Sequence, residues 1–161
     1  MKIETTRFGS QETEQDSIIH FPNGLLSNTQ SQDFKLFHKD DSEAGPVVFW
    51  LQSVDNPETA YTIFDPSLAN FYYEVSLPDE DYDSLSSQSS NQQDPDEIAM
   101  MVIITSTEDD ENKIKKEGLT LVNANITEPL FINLSSKKGL QRSIKDLDYD
   151  IFLNVPVVEN K

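Results

Sequence analysis

The residues best placed to do chemistry are Asp79, Asp81 and Asp83 in LPDEDYD, whose D-x-D-x-D spacing opens a calcium loop. Such a loop also needs glycine at its sixth position for the sharp turn and a bidentate glutamate at its twelfth. Those places hold Ser84 and Ser90, and no helical pattern flanks the stretch. It therefore reads as a solvated acidic segment with only a weak attraction for cations. Other metal chemistry is poorly supplied. The chain has no cysteine, so it has no disulfide, thiol nucleophile or thiolate site. Its two histidines, His20 and His38, leave zinc short of donors. His20 sits in a strand pattern between Ile19 and Phe21, as a packed or edge residue, and His38 lies in the charged run FKLFHKDD and reads as exposed.

Organic chemistry fares no better. There is no G-x-x-x-x-G-K-[ST], G-x-G-x-x-G or G-x-S-x-G, and five glycines leave little from which to build a phosphate cradle. Paired carboxylates can hydrolyse a glycosidic bond, but among 29 Asp and Glu nothing singles out a pair. The expectation is no enzyme, no cofactor and no metal. Asn125-Ile126-Thr127 and Asn133-Leu134-Ser135 match the glycosylation tripeptide, which means little without a secretory signal. MKIETTRFGS contains no apolar h-region and no later run approaches a membrane span, so the expected location is the cytoplasm.

Charge is the strongest compositional signal. Twelve Lys and Arg against 29 Asp and Glu give −17, which repels nucleic acid, whose binding gains from neutralised phosphates. The same charge steers a basic protein partner, although plain solubility also accounts for it.

The elements that must position any site are strands. NFYYEVSL alternates Phe71, Tyr73, Val75 and Leu77 with Tyr72, Glu74 and Ser76, the period of a strand with one buried face. VVFWLQSV and TAYTIF, joined by VDNPET, read as a hairpin. Phe49 and Trp50 fall on opposite faces of its first strand, so one faces the core and the other needs a cover, either a loop or a partner. IAMMVIIT is apolar on both parities and reads as a central strand. KIETTRF and SIIHF precede these, separated by the polar turn GSQETEQD; LTLVNANI, EPLFINLS and LQRSI follow. About nine short strands with little helix predict an all-β fold, a small antiparallel barrel or sandwich. At 161 residues this is one domain, over 1–156. Residues 79–97, rich in Ser, Gln and Asp, are expected to form a mobile acidic loop. Asp109–Gly118 reads as a charged hairpin loop or helical turn, and 157–161 as a frayed tail.

Taken in order, these segments resemble the FliW family of bacterial flagellar assembly factors. The resemblance is carried by K-I-E-T-x-R-F-G (Lys2–Gly9), I-x-F-P-x-G-L (Ile19–Leu25), F-W-L-Q-S-V-D-x-P (Phe49–Pro57) and Asp65-Pro66. It continues through Tyr73 and L-P-D-E-D (Leu77–Asp81), then Leu121–Ile126 with Pro129, Ile132 and Asn133, and finally Lys138–Gln141. It departs at Leu26–Gln30 and in the longer Ser84–Asp94 stretch. It implies a barrel-like domain without an active site that binds flagellin and the RNA-binding translational regulator CsrA. Flagellin level would thereby be coupled to flagellin translation. The partner-surface candidates are Gln52, Asp55, Asn56 and Pro57, near Asp65 and Pro66, because a strand edge ended by proline or charge pairs selectively. Flagellin's terminal segments, helical or disordered before assembly, would suit an apolar groove better. The free protein is expected to be a monomer. A small-ligand- or carbohydrate-binding β domain, supported by the aromatic strands, stands as the alternative.

Overall fold

The computed structural model describes residues 1–38, 48–86, 97–106 and 122–153. The expected charged turn at Asp109–Gly118, the tail 157–161 and most of the expected acidic loop lie outside these residues. Among the described residues there are twelve strands: β1 (Lys2–Thr5), β2 (Gly9–Glu12), β3 (Ile18–His20), β4 (Asp33–His38), β5 (Val48–Ser53), β6 (Ala60–Phe64), β7 (Phe71–Ser76), β8 (Ile98–Ser106), β9 (Val122–Ala124), β10 (Leu130–Asn133), β11 (Lys138–Gln141) and β12 (Asp148–Leu153). One α-helix, α1 (Asp79–Leu85), lies between β7 and β8.

Seven strands close a barrel in the order β10-β11-β3-β4-β5-β6-β8, with β8 pairing back onto β10. Every neighbouring pair is antiparallel except β11 and β3, which run parallel through Lys138 and His20. The barrel is therefore mixed, not purely antiparallel. Strands β9 and β10 are two halves of one interrupted strand. Both pair with β8, at Ile104–Ser106 and Ile98–Met101 respectively, and residues 125–129 bulge out between them. The long apolar run of β8 is central, as its two-sided hydrophobicity predicts, with β6 on one side and β10 and β9 on the other.

The interior is filled by side chains, as in other small barrels. Ile19, Phe21, Leu25, Phe34, Leu51, Ile63, Met101, Leu130 and Ile132 form one buried cluster. Phe21 meets Phe34 edge-on at 5.5 Å and lies against Gly139, where an added Cβ would strike its ring. Glycine there is a packing requirement.

Two additions sit outside the barrel. The β1–β2 hairpin folds over the outer face of β4 and β5. Its Phe8 stacks on Phe37 at 4.8 Å and meets Trp50 edge-on at 5.5 Å, with the Arg7 guanidinium 5.3 Å from the Trp50 ring centre. The tryptophan thus has an intramolecular cover, while Phe49 packs against the core on the opposite face. The second addition is a ribbon of β7 and β12, paired only with each other.

Residues 79–85, expected to begin a mobile loop, are instead the helix α1. Its apolar content is small, but Leu85 is fully buried. The Leu85 carbonyl accepts from Asn133 Nδ2 (2.9 Å) and Ser136 Oγ (2.6 Å), and Arg142 Nη1 lies 3.0 Å from Asp81 Oδ2. Asp79, Glu80 and Asp81 occupy the first turn, where the helix dipole favours negative charge. A helix end whose carbonyl is captured by two donors needs fewer apolar side chains to stay ordered.

Candidate protein-docking surface

The residues singled out in the sequence fall into three structural roles. Gln52 is fully buried and is a scaffold for the β5–β6 turn. Its Nε2 lies among the carbonyl oxygens of Ser53, Asn56, Pro57 and Thr59 at 3.1–3.3 Å. Four acceptors around one nitrogen fix which end of the amide points inward. A side chain so enclosed cannot touch a partner, so Gln52 leaves the set of contact residues. Ser53 Oγ accepts from the main-chain N–H groups of Asp55 and Asn56, and Asn56 Oδ1 accepts from Glu58 N. The Pro57 carbonyl also accepts from Thr6 N at 3.0 Å, tying the turn to the β1–β2 hairpin. Asp55, Asn56 and Pro57 are exposed, on a turn held internally at several points.

Asp65 and Pro66 lie elsewhere. The five-residue strand β6 separates them from the turn, roughly 17 Å at the usual rise. The two groups do not form the single edge that the sequence suggested. Asp65 caps a short 3-10 turn, Pro66–Ala69, accepting from Ser67 N (2.9 Å) and Ser67 Oγ (2.7 Å). Asn70, with φ of +60°, then turns the chain into β7. Pro66 is buried. The pair builds the corner at the root of the ribbon.

The ribbon supplies a groove. In an antiparallel pair, residues directly opposite each other share a face. Phe71, Tyr73 and Val75 stand opposite Leu153, Ile151 and Tyr149, so one face of the ribbon is wholly apolar. Its β7 half overlooks an open groove of about 370 Å³ lined by Tyr73, Val75, Leu77, Tyr82, Ile98, Met100 and Phe131, with Glu74 at the rim. The walls are the ribbon, α1, and the outer side of the β8–β10 pair, where Met100 stands opposite Phe131. The β12 half of the same face overhangs, leaving Tyr149 44% and Leu153 64% exposed. Tyr73 anchors the ribbon: its hydroxyl donates to the Ile126 carbonyl at 2.8 Å, in the bulge between β9 and β10. Burial pushes its phenol up to about 12, because the phenolate would lose hydration there.

Helix α1 gives the groove Tyr82; its Asp79, Glu80 and Asp83 are exposed, with Glu80 facing a separate pocket beside Asp81 and Ser84. An apolar floor with Glu74 at its rim suits an amphipathic helix that carries a basic residue beside its apolar stripe. The alternation of NFYYEVSL announced the strand. Its partner DYDIFL went unassigned, because a pairing this distant in sequence leaves no local mark, and so the groove went unseen. Asn133, in the second glycosylation-like tripeptide, is fully buried on the Leu85 carbonyl. Among the described residues no three His, Asp or Glu converge as a metal site, and no helix is long and apolar enough to cross a membrane.

These features define a closed, side-chain-filled β-barrel with an open apolar groove on its outside. The chain belongs to the FliW family: the FliW protein model matches residues 2–155. The flagellar assembly factor FliW of Azoarcus sp. (strain BH72) is 36% identical over 153 residues, covering 95% of this chain and 97% of that protein. That of Chromobacterium violaceum is 31% identical over 156 residues, covering 97% and 100%. A crystal structure of the flagellar assembly factor FliW superposes with a TM-score of 0.67 at 25% identity, covering 92% of each chain. The chain is a flagellar assembly factor of this family.

Proposed function

We propose that this protein works in the bacterial cytoplasm as a non-enzymatic, monomeric binding protein for flagellin, and that it antagonises CsrA. Flagellin in excess occupies the protein and releases CsrA, and translation of flagellin falls. The observation that carries the reading is the apolar groove between β7, α1 and β8. A helical or disordered apolar segment of unassembled flagellin meets there a floor of Tyr73, Val75, Met100 and Phe131, in the manner of a helix laid in a groove. The net charge of −17 supports the second half. An acidic body held beside a basic RNA-binding protein repels incoming phosphates over a few Debye lengths, each ~8 Å at physiological salt. Inhibition then needs no cover over the RNA site, and the protein binds no RNA itself.

Isothermal titration with flagellin and with CsrA from the same bacterium tests this reading. Binding of flagellin that is weakened at least about tenfold by Met100→Lys, a desolvated charge in the floor, supports it. No binding of either protein overturns it. RNA competition adds a check: in an intact complex the block on RNA binding should weaken as salt rises, and equal inhibition at low and high salt would sink the electrostatic account.

A further inference from the structure

The other face of the ribbon meets the groove only at Glu74, on the rim. Tyr72 stands opposite Phe152, Glu74 opposite Asp150, and Ser76 opposite Asp148. Like charges directly opposite each other weaken a two-stranded ribbon, yet here the central pair is acid against acid. No cation among the described residues forms an ion pair with Glu74, Asp148 or Asp150. At the open end, Tyr72 is 41% and Phe152 51% exposed, so two aromatic rings sit side by side in water next to the carboxylates. Neither feature helps the fold.

We propose that this outward face docks a basic protein segment that carries lysine or arginine beside aliphatic side chains. A guanidinium or ammonium laid between Glu74 and Asp150 removes their repulsion and gains charge-assisted hydrogen bonds. The rings of Tyr72 and Phe152 then receive the aliphatic stems, or a second cation over a ring face. Other occupants fit worse. A metal ion finds no third converging ligand among the described residues. A second copy of this chain would bring the same acidic face to its own twofold contact. Nucleic acid and anionic membranes are repelled. The inference rests on the proposed antagonism of CsrA only for the choice of a natural probe.

Two probes test it: a synthetic amphipathic peptide of lysine and leucine, and CsrA. Each is titrated into the full chain and followed by amide chemical shifts and by calorimetry. Four proteins are compared: wild type, Glu74→Lys/Asp150→Lys, the near-isosteric Glu74→Gln/Asp150→Asn, and Glu14→Lys/Asp16→Lys. The last carries the same change in net charge on exposed residues away from the ribbon. The expected result is peptide shifts centred on Tyr72, Glu74, Asp150 and Phe152. Affinity should fall about tenfold or more in the ribbon reversal, less in the isosteric variant, and under about twofold in the control. Shifts spread evenly over the acidic surface, or an equal loss in the control, overturn the proposal. A peptide seated on the ribbon with CsrA silent leaves the proposal standing and removes the CsrA reading. CsrA bound equally by wild type and the ribbon reversal does the opposite.

Discussion

The barrel and the β7–β12 ribbon are made of similar strands, and they spend their side chains differently. In the barrel, inward positions such as Phe34, Leu51 and Ile63 are fully buried, and an outward aromatic such as Trp50 lies under the β1–β2 hairpin. Even the polar Gln52 is enclosed, with its two amide protons shared among four main-chain carbonyl oxygens. In the ribbon, the apolar face is half-covered at β7 and open at β12, and the other face carries unpaired acids. The barrel holds the fold, and the proposed docking surfaces lie on the ribbon. A mutation should therefore cost stability in one region and affinity in the other.

The sharpest separation is expected from the core. Phe21→Ala should cost about 3–5 kcal/mol in urea unfolding, through lost burial plus the cavity left against Phe34 and Gly139. The folded fraction should bind flagellin with unchanged affinity. Next, Gln52→Ala removes the donor shared by the carbonyls of the β5–β6 turn and should cost about 1–3 kcal/mol, again without changing flagellin affinity per folded molecule. An affinity loss larger than the stability loss would return the turn to the binding surface and break the comparison.

Tyr73→Phe tests the join between the two regions. It removes the hydrogen bond to the Ile126 carbonyl and should cost about 1 kcal/mol at neutral pH. It should also change the alkaline limb of stability. The folded-state value, about 12, lies above the ordinary 10.0, so the unfolded chain releases this proton first. The contribution is complete below pH 10 and is lost as pH rises through 12. Denaturant midpoints measured across that window should fall less steeply in Tyr73→Phe than in wild type. Smallest in stability is Tyr82→Ala in the groove wall. With Tyr82 exposed on α1, it should stay within about 0.5 kcal/mol of wild type while weakening flagellin binding measurably.

Local pattern made several elements readable. The alternation in NFYYEVSL is β7, with half-buried and exposed residues in strict turn. VDNPET does join β5 to β6, and the two-sided apolar run is the central β8. Elements held by distant or main-chain contacts left weaker marks. GSQE reads as a turn because none of its residues is apolar, yet it pairs with KIET along four register positions as β2. LQRSI reads as a strand, whereas β11 begins earlier, at Lys138, and ends at Gln141; a 3-10 turn occupies Ile144–Asp146. Acidic residues after Leu77-Pro78 are a helix-start signal, which the low apolar content of 79–97 outweighed. The helix exists because Asn133, Ser136 and Arg142, some fifty to sixty residues later, hold it. Barrel closure through the parallel β11–β3 contact is equally non-local. Of the candidate surface residues, Asp55, Asn56 and Pro57 are exposed on the turn, Gln52 is buried beneath it, and Asp65 and Pro66 stand at the far end of β6.

Flagellin is proposed to lie in the groove between β7, α1 and β8, and not at the β5–β6 turn. Hydrogen–deuterium exchange of this protein with and without flagellin tests it directly. The expected result is slowed exchange over 71–85 and 98–101, with 53–59 unchanged. Slowed exchange at 53–59 with the groove unaffected, in a complex shown to form, would contradict it.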